Sequence, residues 1–488
     1  MRVLHAASEL YPLVKTGGLA DVAAALPAAL AGNGIDARVI LPGYPPVMAA
    51  LGEAETIFAD ANLFGGGRAR LLRSRLDGVP VPAYVLDAPG HFDRPGNPYL
   101  RPDGKDWPDN HLRFAALGWA AARIGGGGDR DWRPDIVHAH DWQAGLAPAY
   151  LTHGEDERRP RTVLTIHNLA YQGRFPPESF AALGLPSSAW SVEGVEFYGG
   201  VGFLKAGLWY ADRITTVSRT YAKEIQTPEQ GCGLDGLLRG RAGDLVGIVN
   251  GIDLDVWNPG ADPALPEPFG IDHMSGKAAA KADLQRRMGL RVDQDAPLFG
   301  VISRLTWHKG LDLLLDALPG LVGQGAQLAL LGSGDAELET GFAEAARAYP
   351  GKVAVRIGYD EILAHRIEGG SDIIMVPSRA EPCGLTQLYA LRYGSLPLVR
   401  GVGGLADTIV NAEPENVAAG TATGFVFREA TVEGLAGTIA WACALHRDHD
   451  VWQSMQRAAM EADFGWAKAA REYEALYRDL IGRDLMER

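Results

Sequence analysis

The sequence predicts an α/β protein made of two doubly wound parallel-sheet domains. Its 488 residues exceed the length at which a single hydrophobic core keeps growing, so two domains are expected. Short apolar runs alternate with helical or loop segments in both halves, a pattern typical of parallel strands covered on both faces. Between the halves, residues 258–270 contain NPGADPALPEPFG, in which proline and glycine indicate a linker.

The predicted strands recur along the whole chain. Those of the first half span residues 3–7, 35–41, 81–86, 136–139, 163–166 and 214–217. Those of the second half span residues 298–302, 328–331, 353–357, 373–376 and 396–399. Residues 451–481 have helical apolar spacing, and we expect a terminal helix there that crosses back onto the first domain.

Composition excludes several classes of partner. The formal net charge of −14 argues against nucleic acid or an anionic membrane surface. The three cysteines are widely spaced and form no CxxC pair, which argues against a disulfide scaffold or a zinc site of the usual kind. No stretch has the apolar length of a membrane span, and MRVLHAASEL carries no apolar leader region, so a cytoplasmic protein is expected.

The segment FGVISRLTWHKG at residues 299–310 predicts an anion-binding site. Arg304 and Lys309 follow a buried strand, and Gly310 opens an amphipathic helix. Arginine offers a planar fork to phosphate oxygens, lysine offers a point charge, and a helix N-terminus favours negative charge. The alternative is a surface turn with two solvated cations.

A second glycine turn, KTGGLADV, follows the first strand. Lys15 precedes Gly17 and Gly18, which begin an Ala/Leu-rich helix where backbone amides can approach an oxyanion. The alternative is a turn that needs glycine only for packing. GGLAD recurs at residues 403–407. Five residues can recur by chance, but two facing doubly wound domains would show a matching anion-facing turn there.

Histidines follow two strands of the first half. VHAHDWQAG places His138, His140 and Asp141 at a strand end, and LTIHNLAYQG places His167 at another. A metal site is one interpretation of the first group, but no further ligand is evident. The DLD of residues 253–255 resembles a metal-binding DxD pattern, yet its Asn-Gly and Asn-Pro flanks indicate turns. A lone histidine such as His167 is also compatible with a structural role.

The segment PSRAEPCGLTQLYALRYG supplies a carboxylate. Glu381 follows the strand at residues 373–376, and we expect Gly384 to start a helix whose N-terminus stabilises the anion. Such a carboxylate can accept sugar hydroxyls, although a helix-capping role is the alternative. Tyr359 can stack on a base or be a buried core residue.

With these segments in view, the chain resembles the bacterial glycogen synthase and plant starch synthase family. The resemblance rests on a series of motifs in one register from Met1 to the C-terminus: KTGGLADV, HAHDWQAG, LTIHNLAYQG, EFYGGVGFLKAGLWYAD, TVSRTYAKEIQTPEQGCGLDGLL, VNGIDLDVWNP, ISRLTWHKGLDLL, IGYDE and EPCGLTQLYALRYGSLPLV. It implies two Rossmann-like domains of GT-B type facing across a deep cleft. The expected ranges are 1–248 for the acceptor side, with 466–488 packed on it, and 249–465 for the nucleotide-sugar side.

The resemblance implies a metal-independent, cofactor-free transfer of glucose from ADP-glucose to the non-reducing end of an α-1,4-glucan such as glycogen, with retention of configuration. Five residues take catalytic roles by this resemblance: His167, Arg304, Lys309, Glu381 and Asp141. Ten more are implied in substrate binding: Lys15, Gly17, Gly18, Tyr99, Asn250, Tyr359, Cys383, Gly384, Leu385 and Thr386. Among these, Tyr99 would close over the nucleotide from the long Pro/Gly-rich loop at residues 90–110.

Three positions depart from the family pattern. His308 stands where glutamine is common, Asp360 where histidine follows the tyrosine, and Val402 where threonine often precedes GGLAD. Asp360 puts nucleotide preference most in doubt, and Tyr389 replaces the second glutamate of the wider superfamily, as in the synthases. A nucleotide-sugar epimerase on the same architecture and a non-catalytic glucan-binding protein remain alternatives.

For the reaction we expect the cations to stabilise the leaving diphosphate. The acceptor hydroxyl would attack the face that the diphosphate leaves, and a phosphate oxygen would take its proton. His167 would hydrogen bond to the sugar, and closure of the two domains would bring the cations together.

Overall fold

The computed structural model describes residues 1–156 and 158–487. The chain forms two compact units. The first comprises Met1–Gly251 together with Trp466–Arg488, and the second comprises Ile252–Gly465.

The first unit is built on a nine-stranded sheet, accompanied by a small antiparallel sheet of three short strands. Their bounds are β1 Arg2–Ala6, β2 Asp36–Pro42, β3 Leu51–Asp60, β4 Ala69–Leu76, β5 Ala83–Asp87, β6 Ile136–His140, β7 Arg161–Ile166, β8 Arg174–Phe175, β9 Glu196–Phe197, β10 Gly200–Gly202, β11 Arg213–Thr216 and β12 Leu245–Gly247. The large sheet has the order β12-β11-β7-β6-β1-β2-β5-β4-β3, and β8, β9 and β10 form the small one.

Burial explains the parallel part of this sheet. The five residues of β6 are all buried, as are the last four of β1, so both faces of these strands are covered. Strands β3 and β4 add an antiparallel edge, where β3 is mostly exposed. Because β1 lies between β2 and β6, the direction of winding reverses between β1 and β6. Such a switch point is where open α/β sheets bind ligands.

Helices cover this sheet on both faces. Their bounds are α1 Gly18–Gly32, α2 Pro45–Ala49, α3 Pro89–Phe92, α4 Asn110–Gly125, α5 Ala147–Thr152, α6 Phe203–Tyr210, α7 Arg219–Glu224 and α8 Asp235–Gly240.

The second unit is an all-parallel six-stranded sheet with flanking helices. In chain order its elements are α9 Ser275–Met288, β13 Leu298–Ile302, α10 Leu311–Gly323, β14 Gln327–Gly332, α11 Ala336–Ala348, β15 Val353–Ile357, α12 Glu361–Gly370, β16 Ile373–Val376, α13 Thr386–Arg392, β17 Leu396–Arg400, α14 Gly403–Thr408, α15 Pro414–Ala418, β18 Phe425–Phe427, α16 Val432–His446 and α17 His449–Glu461. The strand order is β15-β14-β13-β16-β17-β18. This is the Rossmann order, with its switch point between β13 and β16.

The last helix, α18 (Trp466–Glu487), returns to the first unit. The helical segment predicted at residues 451–481 is divided, because α17 ends at Glu461 and belongs to the second unit. Its Ala470, Tyr473 and Tyr477 are buried in one apolar cluster with Val22 and Leu26 of α1. Removing such a cover from an apolar helix face costs about 25 cal/mol for each Å² exposed. None of the described helices has the length and apolar character needed to cross a membrane.

Candidate active site

The segment after β13 turns sharply before α10 begins. Arg304 is exposed two residues beyond the strand, and Trp307–Lys309 form one 3-10 turn. Gly310 has a φ of 68°, and a Cβ on it would lie 2.0 Å from the carbonyl oxygen of Pro377. Only glycine fits this backbone. The turn therefore carries Arg304 and Lys309 to the carboxyl edge of the sheet at its switch point.

Glu381 lies beside this turn because β16 is the neighbour of β13. The ammonium of Lys309 donates to Oε2 of Glu381 at 2.5 Å, and the hydroxyl of Ser378 donates to the same oxygen at 2.9 Å. The Glu381 side chain is only 10% exposed, against 25% for Lys309. The ion pair is therefore shielded from water on the carboxylate side, where an unpaired charge would be costly.

The Glu381 carboxylate is stabilised by groups other than the helix N-terminus expected from the sequence. Helix α13 begins at Thr386, five residues beyond Glu381, and the field of a helix end acts only within its first turn. Lys309 and Ser378 stabilise the carboxylate instead. At the repeated GGLAD segment, the Gly404 amide donates to the backbone oxygen of Glu381 at 3.1 Å and is not available to an anion. That segment holds the Glu381 loop in place.

Residues 383–386 complete this loop. Cys383 is buried, and its carbonyl accepts a hydrogen bond from the side chain of Gln387 at 3.0 Å. Gly384 has a φ of 72°, Leu385 stands at the N-cap position, and Thr386 begins α13. The four residues predicted to bind substrate therefore form one continuous turn beside Glu381.

Asp360, a departure from the family pattern, and Tyr389, which replaces the glutamate of the wider superfamily, both have structural roles. Asp360 is the N-cap of α12, where its carboxylate accepts from the backbone N–H of Leu363 at 2.9 Å. Tyr389 stacks on Trp257 with ring centroids 3.6 Å apart. Tyr359, which precedes the cap, is 80% exposed, so the core alternative for this residue is wrong.

In the first unit, the glycine turn surrounds a carboxylate that sequence reasoning missed. The backbone N–H groups of Thr16 and Gly17 donate to Oε2 of Glu9 at 2.6 and 3.3 Å. Lys15 points elsewhere, to Oδ1 of Asp21 at 2.9 Å. No heavy atom lies within 4 Å of a Cβ built on Gly17, so packing does not require glycine there.

Tyr99 anchors the long loop to this turn. Its hydroxyl donates to Oε1 of Glu9 and lies 2.9 Å from the hydroxyl of Ser8. Its ring packs on Phe114 and Trp142, with centroids 5.9 and 6.4 Å away. Burial raises the pKa of Tyr99 well above its usual value, so the phenol is a donor. The tyrosine thus holds residues 90–110 against the first unit.

Asp141 fixes the backbone of His167 from the adjacent strand end. Its φ of 54° is uncommon for a residue other than glycine. Its Oδ1 accepts from the backbone N–H of His167 at 2.7 Å. Burial raises the pKa of Asp141 to about 7, although this hydrogen bond acts in the opposite direction.

The His167 ring is held by other histidines. Its Nε2 lies 3.0 Å from Nδ1 of His140, whose Nε2 lies 3.1 Å from Nδ1 of His5. His5 was not singled out from the sequence, because one histidine in a buried strand looks like a core residue. Asn250 is buried, and its Oδ1 has no hydrogen-bond partner in the described part of the chain.

A metal centre does not fit the histidines. Nitrogens of His5, His138 and His140 lie within 4.8 Å of one another. His138, however, already bonds to the hydroxyls of Tyr477 at 2.7 Å and Thr165 at 2.5 Å. The spacings between His5 and His140 are those of a hydrogen bond, and a cation would have to break these contacts.

The structure thus gathers the sequence-predicted residues into local groups. In the second unit, Lys309, Glu381 and residues 383–386 share one edge with Arg304. In the first unit, Lys15, Gly17, Gly18 and Tyr99 surround Glu9, and Asp141 holds His167 at the next strand ends. The residues missed by sequence reasoning are Ser8, Glu9, Ser378 and His5; an acid just ahead of KTGG was the available signal for Glu9.

Two family models match consecutive parts of the chain. One, described as the starch synthase catalytic domain, matches residues 2–240, and the other, glycosyl transferases group 1, matches residues 285–458. A glycogen synthase of Rhodopseudomonas palustris (strain HaA2) is 55% identical over 481 residues, covering 99% of both chains. A glycogen synthase 2 of Bradyrhizobium diazoefficiens is 56% identical over 480 residues, covering 98% of both.

Solved structures show the same architecture. The catalytic domain of starch synthase IV from Arabidopsis thaliana, bound to ADP and acarbose, superposes with a TM-score of 0.87. It shares 30% sequence identity, and the match covers 99% of each chain. A sucrose-phosphate synthase from Thermosynechococcus elongatus, 16% identical with a TM-score of 0.59, has a similar fold.

Proposed function

The chain belongs to the starch synthase and glycogen synthase family of glycosyltransferases, and we propose that it is an ADP-glucose-dependent glucan synthase. It would transfer glucose to the non-reducing end of an α-1,4-glucan such as glycogen, with retention of configuration. The observation that carries this proposal is the group formed by Arg304, Lys309 and Glu381 at the switch point of the second unit.

Charge in this group supports a role with a diphosphate. Within the described residues Lys309 is balanced by Glu381, whereas the exposed Arg304 has no ion-pair partner. Arg304 therefore supplies net positive charge and a fork geometry suited to phosphate oxygens. We assign the donor diphosphate to Arg304 and Lys309, the glucosyl hydroxyls to Glu381 with Cys383, Gly384, Leu385 and Thr386, and the adenine to Tyr359.

The reaction needs stabilisation of the leaving group. As the bond from the sugar to the diphosphate breaks, negative charge grows on the β-phosphate, and fixed cations lower the barrier most where water is excluded. The acceptor 4-hydroxyl would attack the face that the diphosphate leaves and pass its proton to a phosphate oxygen. Glu381 is held by Lys309 and Ser378, so we give it hydrogen bonding to the sugar rather than nucleophilic attack.

For the first unit we propose contacts to phosphate and sugar. Lys15, Gly17 and Gly18 would meet the phosphates, and the open space beside Gly17 leaves room for them. His167, fixed by Asp141, would hydrogen bond to the transferred glucose together with Asn250. Tyr99 would act through the loop that it anchors. We take the acceptor glucan to be handled mainly by residues 1–248 and the nucleotide sugar by residues 249–465.

We further propose that transfer requires no metal or other cofactor, because the second unit supplies cations where a metal would otherwise neutralise the diphosphate. A cytoplasmic location agrees with the absence of disulfide bonds among the cysteines of the described residues.

The test is glucose incorporation into a glycogen primer by the purified chain, with labelled ADP-glucose and UDP-glucose compared in EDTA. We expect transfer from ADP-glucose alone, into α-1,4 linkages released by a linkage-specific amylase. Epimerised nucleotide sugar without labelling of the glucan would indicate an isomerase. Binding of the chain to glycogen without any turnover of the nucleotide sugar would indicate a glucan-binding protein. Activity that appears only with magnesium or manganese would contradict the metal-independent mechanism.

A further inference from the structure

Three imidazoles form a line through the first unit, starting in the core and ending at the proposed sugar-binding histidine. His5, His140 and His167 lie on β1, at the end of β6 and just after β7, which are consecutive neighbours in the sheet. The two nitrogen-to-nitrogen distances are 3.1 and 3.0 Å. His5 and His140 are completely buried, whereas His167 is partly exposed.

Each of these rings is neutral at physiological pH. Burial lowers the pKa of His5 and of His167 to about 3 and that of His140 well below its usual value. A neutral imidazole carries one N–H and one bare nitrogen. Two contacts joining three such rings require one proton in each contact, so all three N–H groups must point the same way along the line.

The surroundings of His5, at the buried end of the line, determine which way the three N–H groups point. Nε2 of His5 is inaccessible to solvent and has no hydrogen-bond partner among the described residues. A buried N–H without an acceptor is rarer in proteins than a buried acceptor without a donor. Nε2 of His5 is therefore the bare nitrogen, and its proton is on Nδ1, facing His140. The same order then places a proton on Nδ1 of His140 and leaves Nε2 of His167 bare.

We propose that His5 and His140 are positioning residues that hold His167 as its Nδ1–H tautomer, so that His167 presents a hydrogen-bond donor to an oxygen of the substrate. This rests on the proposed function for the identity of that oxygen, a hydroxyl of the transferred glucose. Nδ1 of His167 has no partner within the described chain, and Asp141 fixes the backbone at the same residue. A ring locked in this tautomer donates to the sugar and does not act as a base there.

The neighbouring His138 provides a matched control. It lies on the same strand as His140, is equally buried, and stacks on the His140 ring at 4.3 Å. Its nitrogens bond to Tyr477 and Thr165, so it stands outside the line.

The test is nitrogen NMR of the full chain labelled with ¹⁵N-histidine. Long-range proton–nitrogen correlations distinguish protonated from bare ring nitrogens, and the spectrum of His167→Gln assigns the His167 signals. We expect protonated Nδ1 and bare Nε2 in His5, His140 and His167. A His167 ring protonated at Nε2 overturns the proposal, as does stoichiometric metal in the purified protein with metal-shifted nitrogens. This readout needs no turnover, so it can fail while the proposed function holds, or the reverse.

Variants then test the positioning role. His5→Leu removes the inner donor, and we expect a mixture of His167 tautomers and a roughly tenfold lower kcat, with a smaller change in KM for ADP-glucose. His138→Gln should leave the His167 tautomer and kcat unchanged even where stability falls. An unaltered tautomer and kcat in His5→Leu, or equal effects in both variants, overturn the positioning role. Should His5→Leu fail to fold, the tautomers of the unmodified chain still decide the question.

Discussion

Lys309 and Glu381 form an ion pair at 2.5 Å between the ends of two adjacent strands, β13 and β16. Two residues proposed for different parts of one substrate are thus coupled through a single contact. Any ligand that draws Lys309 toward a phosphate also changes the electrostatic surroundings of Glu381. Substitution of either residue therefore affects stability and catalysis together, and the two effects need to be separated.

Lys309→Ala should reduce kcat by about two orders of magnitude or more, because one fixed donor to the leaving group is lost. It should also destabilise the fold by about 1–3 kcal/mol, since Glu381 loses its cation in a largely buried setting. Steady-state kinetics and urea unfolding measure the two effects. Adding Glu381→Gln should restore stability without restoring turnover. A kcat equal to that of the unmodified chain would remove Lys309 from the phosphate role.

Gly17→Ala and Gly310→Ala should have opposite profiles. At Gly17 the φ is −159° and the space for a Cβ is open, so unfolding should be unchanged while activity falls through contact with the phosphates. At Gly310 the φ is 68° and a Cβ would lie 2.0 Å from a backbone oxygen, so we expect a loss of about 2 kcal/mol or more. Thermal unfolding and kinetics of both variants check this. Full activity in Gly17→Ala would argue against phosphate contact at that turn.

Tyr99→Phe distinguishes an anchor from a nucleotide lid. Loss of the hydroxyl leaves the buried Glu9 carboxylate with fewer donors, and we expect a cost of about 1–2 kcal/mol in unfolding free energy. Hydrogen exchange in residues 90–110 should rise. A variant that keeps its stability but has a raised KM for ADP-glucose would instead favour direct contact with the nucleotide. Tyr349→Phe, in the second unit, serves as a tyrosine control remote from this loop in sequence.

Acid should unfold the first unit steeply. His5, His138, His140 and His167 have pKa values lowered by burial, so the unfolded chain binds four protons that the folded chain does not. Stability is then lost as pH falls below about 6.5, the unfolded-state value, at about 1.4 kcal/mol per pH unit for each histidine. Asp141 has its pKa raised to about 7, so between about pH 4 and 6.5 the folded chain binds a proton there that the unfolded chain does not. This proton offsets one of the four histidine protons.

The net slope from this group is therefore about 4 kcal/mol per pH unit between pH 6 and 4. Urea midpoints at half-unit intervals measure it. His138→Gln should reduce this net slope by about one third, because one of the three net protons is no longer taken up. Stability that stays level from pH 7 to pH 5 would show that these rings are not neutral in the folded state.

Much of the fold was predictable because parallel strands are buried on both faces. The runs at residues 298–302, 353–357 and 373–376 coincide with the observed strands. Strands β3 and β4 were missed because neither has a continuous apolar run: β3 is mostly exposed, and arginines interrupt the apolar residues of the mostly buried β4. Tyr389 and Asp360 show the same limit at single residues, since stacking on Trp257 and capping of α12 depend on tertiary contacts.

The site was predictable in its residues and less so in its connections. Motifs identified Lys309 and Glu381, but their pairing depends on the adjacency of β13 and β16. Glu9 was missed because a negatively charged carboxylate is not expected beside a proposed phosphate-binding site. The pairing of His5 with His140 needed the sheet order, which places strands far apart in sequence side by side.

Helix α18 makes the second unit an insertion within the first. During synthesis, the first unit therefore cannot finish folding when residues 1–251 have left the ribosome, because α18 has not yet been made. It has to wait until residues 466–487 have been made, while Val22 and Leu26 remain without that cover. A carboxyl-terminal truncation would thus damage the part of the enzyme that is made first.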